Sequence, residues 1–201
     1  MTKPLLICIG GSGPKSGKST AARALTGYTI VRFADPLKDL VADLYGITRD
    51  ELEAQKDAPL PITIGGRGLA IIAQHVGQRV PIEGLFGVAF PTVRALLQQI
   101  GTQVIRKLDP DWHVRKLQER LVPGVAYVAD DCRFKNELDL IMGLGGQSIF
   151  INRPDMEADD HESENSLQAS DFMRVIENDG SVADLENKMR ALIEPVETVT
   201  T

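Results

Sequence analysis

The sequence predicts an α/β protein, with a five-stranded parallel sheet carrying helices on both faces. Three observations predict it. Short apolar runs alternate with amphipathic stretches along the chain. The runs are continuously apolar, as strands covered on two faces require. A glycine-rich loop joins the first run directly to a helix-forming stretch, and in such sheets ligands sit beyond the carboxyl ends of the strands.

Leu5 to Ile9 is the first strand, followed by a loop from Gly10 to Gly17 and a helix from Lys18 to Leu25 that Gly27 closes. Thr29 to Phe33 is the second strand. Pro36 suits the first turn of the next helix, whose Leu37, Leu40, Val41 and Leu44 share one face and which Gly46 ends. Thr48 and Glu51 have capping-box spacing for a short helix. Between Asp57 and Pro91 stand four prolines and six glycines with little periodicity, which predicts an irregular insertion over the domain. Val93, Leu96, Leu97, Ile100 and Val104 then keep helical spacing up to Leu108, where Asp109-Pro110 stops the helix. Asp111 caps a helix through Leu121, and Val125 to Ala129 is the third strand. A helix from Lys135 to Leu144, a strand from Gln147 to Ile151 and a short strand around Met173 to Ile176 complete the sheet. Ser181 caps a final helix with Val182, Leu185, Met189, Leu192 and Ile193 inward.

A chain of 201 residues suffices for one domain, read here as 1–201. Its 43% hydrophobic and 25% charged residues fit a folded chain rather than a disordered one. A net charge of −6 argues against the basic face that a nucleic-acid polymer or an anionic membrane requires. No apolar run approaches bilayer length, and the N-terminus turns to glycine too early for a signal-peptide core, so a cytoplasmic location is expected. Cys8 and Cys132 lie in apolar strand-like runs and read as buried thiols in a reducing compartment, not as a disulfide or metal pair.

The loop between the first strand and the first helix carries the chemistry. Gly13, Lys15, Ser16, Gly17, Lys18, Ser19 and Thr20 form a cradle for a triphosphate, which points to ATP with Mg2+. Backbone N–H groups surround a phosphate, Lys18 reaches its outer oxygens, and the Ser19 hydroxyl ligates magnesium. The usual G-x-x-x-x-G-K-[ST] spacing wants glycine where this chain has Ser12. A rival reading takes Gly11, Gly13 and Gly17 as a dinucleotide fingerprint with Asp35 on a ribose, which would make the protein a nicotinamide-dependent oxidoreductase. Lys18-Ser19 has no job in that site.

Four segments in order carry a family resemblance. They are Phe33-Ala34-Asp35-Pro36-Leu37-Lys38; Arg94 with Leu96-Leu97-Gln98, Gly101-Thr102 and Arg106; Asp131 with Arg133-Phe134 and Asn136-Glu137; and His161 with Ser163-Glu164 after Arg153. Together they resemble the phage-type deoxynucleoside monophosphate kinases of the P-loop nucleotide kinase superfamily, from Leu5 to about Leu185. The resemblance implies a P-loop kinase fold and transfer of the terminal phosphate of ATP to a deoxynucleoside monophosphate. It also implies a lid at about 153–166 and a virus-encoded enzyme in a bacterial cytoplasm. Dephospho-coenzyme A kinases are similar in the phosphate loop and in the Phe33–Lys38 segment but lack the Leu96-Leu97-Gln98 helix.

Within that frame the expected roles are these. Arg94, Gln98, Thr102 and Arg106, four apart, drift by only ~40° per step and share one side of a helix, where they hold the acceptor's phosphate and base edge. Asp131 holds magnesium, while Asp130 points to the opposite side if the strand continues. Arg133 clamps the acceptor phosphate, and Glu137 belongs to the same substrate-binding group. Lys38 neutralises the acceptor. Asp35 orients or deprotonates it, or simply caps the helix at Pro36. Arg153 stabilises charge on the transferring phosphoryl group. The acidic loop with Asp159, Asp160, His161, Glu162 and Glu164 is a closing lid or a loop without a role. Trp112 packs in the core rather than stacking on a base. Asn178-Asp179-Gly180 is a turn that lines the adenine pocket in similar kinases. The 57–91 insertion either selects the acceptor base or makes a homodimer contact. A regulatory protein that hydrolyses ATP slowly is the remaining alternative, and it has no need of an acceptor-binding stripe.

Overall fold

Outside the 57–91 segment, apolar strands and amphipathic helices follow in the order the pattern predicts. In the computed structural model, residues 5–57, 59–76, 87, 89–154 and 166–193 are described. In chain order these form β1 (Leu6–Gly11), α1 (Lys18–Arg23), β2 (Thr29–Val31), α2 (Asp35–Tyr45), α3 (Arg49–Ala54), β3 (Pro59–Thr63), α4 (Gly66–Val76) and β4 (Ala89–Thr92). Then come α5 (Val93–Gln98), a π-helical stretch (Gln99–Ile105), α6 (Arg106–Leu108), α7 (Trp112–Gln118), β5 (Tyr127–Ala129), α8 (Lys135–Gly143), β6 (Gln147–Asn152), β7 (Arg174–Glu177) and α9 (Val182–Leu192). The chain divides into two compact units, Met1–Phe33 with Leu117–Thr201, and Ala34–Lys116.

The first unit holds the five-stranded sheet, all parallel, in the order β2-β5-β1-β6-β7. Ile7, Ile9, Val128, Ile149 and Ile151 pack with Ala21, Ala22, Leu185 and Met189 in one core. Successive strand residues face opposite ways, so Leu6 and Cys8 lie on the other face, and they too are buried. Each fully buried Ile or Leu contributes about 1.5–3 kcal/mol. Burial thus outweighs the few ladder bonds that strands as short as β2 and β5 can make. β2 and β5 are shorter than the sequence suggests, because Thr29–Phe33 stops pairing at Val31 and Val125–Ala129 starts at Tyr127. Ser181 caps α9 as predicted, accepting from Asp184 N–H. Val182 at the first helical position is exposed rather than inward, since the first turn projects past the core that Leu185 and Met189 reach.

The second unit has its own core, in which Leu37, Leu40, Val41, Leu52, Ile72, Val93, Leu96, Ile100, Ile105 and Trp112 are buried. α2 packs on α3, α4 and α5. Thr48 and Glu51 form the predicted capping box, and Gly46 ends α2 in the left-handed conformation. The segment read as irregular contains β3, α4 and β4, with β3 and β4 antiparallel and a register shift between Pro59 and Ile62. Prolines at 59, 61 and 91 hide strands from pattern reading, yet a two-stranded ribbon tolerates them because every strand in it is an edge. The helix read as one from Val93 to Leu108 does run that far, but its middle is π-helical. Gly101 lies in that stretch, where an added Cβ would come within 2.7 Å of Leu37 Cδ2. Any side chain there would force Leu37 to shift.

Candidate functional site

At the carboxyl end of β1 the chain leaves the sheet and wraps into the loop before α1. Gly13 and Gly17 have φ of 149° and 109°, and Lys15 has φ 65°, so the backbone turns repeatedly through left-handed conformations. A Cβ at Gly17 would also sit 2.8 Å from both Asn178 Nδ2 and Leu185 Cδ2. Ser16 is fully buried, and its carbonyl accepts from Asn178 Nδ2 at 2.8 Å. Lys18 folds back, donating from Nζ to the Gly13 carbonyl at 2.6 Å and to Ser16 Oγ at 3.2 Å. Its ammonium therefore lies back against the loop. Gly17 caps α1 without any side-chain hydrogen bond, and Ser19 is exposed on the first turn.

Three other strand ends of the same unit meet this loop or flank it. After β5, buried Asp130 is paired with Arg32 (Nε–Oδ1 2.7 Å), and Asp131 Oδ1 accepts from Phe33 N–H at 2.9 Å. Asp130 is thus committed to Arg32, and Asp131 stands beside it at the strand end. Arg133 N–H and Phe134 N–H both donate to Glu137 Oε2, at 2.8 and 3.2 Å. Glu137 is only 1% exposed, so it reaches a substrate only through the Arg133 turn that it holds. Arg133 and Lys18 line a small cavity together with Gly10, Gly11, Cys132, Phe150, Leu167 and Phe172. The Cys8 thiol beside it, and then burial, push the Cys132 thiol well up, so this wall of the cavity is a neutral thiol.

After β6, Arg153 N–H donates to Ser12 Oγ at 3.0 Å, and its Nη1 donates to the Lys15 carbonyl at 3.1 Å. After β7, Asn178 holds the loop from below through Ser16, a role that its place in an Asn-Asp-Gly turn does not announce. His161, Ser163, Glu164 and the rest of the acidic segment read as a lid lie outside the described residues, as does part of the 57–91 segment.

The second unit gathers the other candidates into a charged group. Asp35 is the first residue of α2 and does not cap it. Instead its carboxylate and carbonyl receive Arg49, at 3.0 and 2.7 Å, while Arg49 also binds Asp39 at 2.7 Å. Lys38 pairs with Glu53. Burial raises Glu53, but Lys38, Lys56 and Arg49 outweigh it and hold the carboxyl below its usual range. Burial, followed by the neighbouring Lys38 charge, lowers Lys56. Arg94 grips Asp57 through two nitrogens, at 2.5 and 3.0 Å. Gln98 is exposed, and Thr102 and Arg106 are half-buried. An α-helix overshoots a full turn in four residues, whereas the wider i→i+5 winding undershoots it. The π stretch therefore offsets the drift of the Arg94–Gln98–Thr102–Arg106 stripe. Trp112 is buried in this unit's core and donates from its indole to the His75 carbonyl at 3.3 Å. Arg32, Arg49 and Lys56 escape sequence reading. Of these, Arg49 and Lys56 have a local signal, their i,i+4 and i,i+3 spacing to Glu53, and Arg32 has none.

A magnesium ion takes oxygen ligands and keeps several waters, commonly with one or two carboxylates and substrate phosphates. Ser19 and Asp131 fit that donor chemistry. Among the described residues no group of three or more His, Cys, Asp or Glu side chains forms a closed metal cage. No described helix is long and apolar enough to cross a membrane.

The family model described as deoxynucleotide monophosphate kinase matches residues 89–189. The chain is 31% identical to a putative deoxynucleotide monophosphate kinase of Acanthamoeba polyphaga mimivirus, across 82% of each chain. It is 25% identical to the deoxynucleotide monophosphate kinase of Enterobacteria phage T4, across 88% of this chain and 93% of that one. Among solved structures, a dephospho-CoA kinase from Campylobacter jejuni aligns with a TM-score of 0.41 at 14% identity, over 95% of this chain and 96% of the other. A Thermus thermophilus protein aligns with a TM-score of 0.43 at 19% identity, over 95% and 97%. Strand order and loop geometry, not these superpositions, fix the architecture.

Proposed function

Because the chain belongs to the deoxynucleotide monophosphate kinase family, we propose that its first unit binds ATP through the loop from Gly13 to Thr20 and that its second unit binds the acceptor nucleotide. The protein is a nucleoside monophosphate kinase that phosphorylates a deoxynucleoside monophosphate to the diphosphate.

Lys18 exchanges the Gly13 carbonyl for the outer phosphate oxygens of ATP. The turned amides of Gly13, Lys15, Ser16 and Gly17 take the inner ones, and Thr20 closes the first turn of α1 beneath them. Ser19 and Asp131 hold Mg2+, which supplies charge neutralisation on the phosphates. Arg133, fixed by Glu137, and Arg153 stabilise the charge that spreads over the transferring group. Lys38, Arg94, Gln98, Thr102 and Arg106 hold the acceptor. The acceptor phosphate is already anionic, so no base has to remove a proton, and Asp35, tied to Arg49, orients rather than deprotonates. Phe150, Leu167 and Phe172 keep the cavity beside Lys18 and Arg133 apolar on one side, which disfavours transfer to water. On this reading the whole chain acts as one kinase domain, with the 153–166 segment as its lid, in the cytoplasm, which is that of the bacterial host if a phage encodes it. The 57–91 segment selects the acceptor base or joins two copies, and light scattering separates the two.

The observation that carries this reading is the Lys18 ammonium folded over a loop of positive-φ residues at the end of the central strand. The test is an ADP-release assay with each deoxynucleoside monophosphate, with dephospho-coenzyme A, and without acceptor. Turnover with at least one deoxynucleoside monophosphate, far above the acceptor-free rate, is expected. Equal turnover without acceptor, or a preference for dephospho-coenzyme A, would overturn it.

A further inference from the structure

We propose that Ser12 is a positioning residue for Arg153, standing where the phosphate-loop pattern has glycine because its hydroxyl fixes the arginine against the loop. The inference rests on the role given to Arg153 above.

Three observations carry it. Ser12 N–H donates to the Ile151 carbonyl at 3.1 Å, which continues the β1–β6 pairing one residue past Gly11 and Ile151. In a continuing parallel ladder the next bond would run from Arg153 N–H to the Ser12 carbonyl. The main chain turns away into the phosphate loop at this point, and Ser12 Oγ takes the Arg153 N–H instead, at 3.0 Å. The side chain thus adds a rung where the backbone ladder gives out. Arg153 is then held twice on one loop, by its backbone through Ser12 and by its guanidinium through the Lys15 carbonyl at 3.1 Å. Finally, Lys15 alone among the described non-glycine residues has positive φ, so residue 12 adopts a backbone that any residue accepts and glycine is not required there.

A glycine at 12 would keep the loop's path and lose the hydroxyl. The Arg153 N–H is near solvent and would find water, so little stability is at stake. What would be lost is the fixed origin from which the guanidinium leaves the Lys15 carbonyl for the transferring phosphoryl group. Misplacement of a group that acts in the transition state lowers kcat, whereas weaker ground-state binding raises KM.

The experiment is steady-state kinetics with ATP and the best acceptor for Ser12→Ala, Ser12→Thr, Arg153→Ala and the Ser12→Ala/Arg153→Ala double variant, with thermal melts as the folding control. Ser12→Ala is expected to lower kcat roughly tenfold with little change in the KM for ATP. Ser12→Thr recovers most of that loss. In the Arg153→Ala background, Ser12→Ala has no further effect, because the residue it positions is gone. A Ser12→Ala loss of equal size in both backgrounds, or unchanged kcat in Ser12→Ala, would overturn the inference while leaving the role of Arg153 intact. Wild-type kcat in Arg153→Ala would instead sink that role, and the inference with it.

Discussion

The side chains around the loop of the first unit and the cations of the second unit are held in different ways. In the first, the side chains around the phosphate loop lean on backbone: Lys18 on the Gly13 carbonyl, Arg153 on the Lys15 carbonyl, Asn178 on the Ser16 carbonyl. In the second, cations lean on carboxylates: Lys38 on Glu53, Arg49 on Asp35 and Asp39, Arg94 on Asp57. A neutral carbonyl yields a cation to a phosphate with a net gain of charge pairing. A carboxylate yields it only by becoming solvated or finding another partner. On the proposed reading, the loop is thus prepared for its anion, whereas Lys38 and Arg94 must exchange one anion for another.

The sharpest way to break this contrast is Lys18→Ala, which removes a charge from the prepared side. A roughly 10³-fold fall in kcat/KM with an unchanged melting temperature is expected, and a loss below tenfold would show that the loop does not hold the reacting phosphates. Gly101→Ala probes the second unit's framework rather than its charges. The added methyl meets Leu37, so a loss of about 2 kcal/mol in denaturant unfolding is expected, with the KM for ATP unchanged. Arg94→Ala tests the exchange itself, with the acceptor KM rising roughly tenfold and the ATP KM holding. Asp57→Asn should shift acceptor KM the opposite way, because it removes the carboxylate charge that competes for Arg94; a rise in KM would show that Asp57 aids binding instead.

The smallest effect is in acid. Glu53 and Asp57 are held below their usual 4.5 and 3.8 by the cations beside them. A folded-state value below the unfolded one means that the unfolded chain binds the proton more readily. Their contribution is therefore fully present above the unfolded values and is lost as pH falls through the folded ones. Hydrogen exchange near pH 3.5, compared with neutral pH, should show α3 and α5 losing protection before β1 does. Uniform loss across both units would erase the distinction.

Much of this was legible in the chain because it is local. A continuous apolar run followed by glycines and Lys18-Ser19-Thr20 dictates strand, turn and helix within fifteen residues of Leu6. The Thr48–Glu51 and Ser181–Asp184 caps are settled within one turn. The stripe from Arg94 to Arg106 follows from helical spacing, although only the structure reveals the π-helical middle that keeps it in line. The tertiary structure alone decided which groups are joined across distance. Arg153 reaches Ser12 and Lys15, Asn178 reaches Ser16, and Arg32 reaches Asp130, each across about a hundred residues or more. The physical reason is that a parallel sheet brings together the ends of strands that are remote in the chain. Residue order records what each strand end carries, and the folded sheet decides which ends are neighbours.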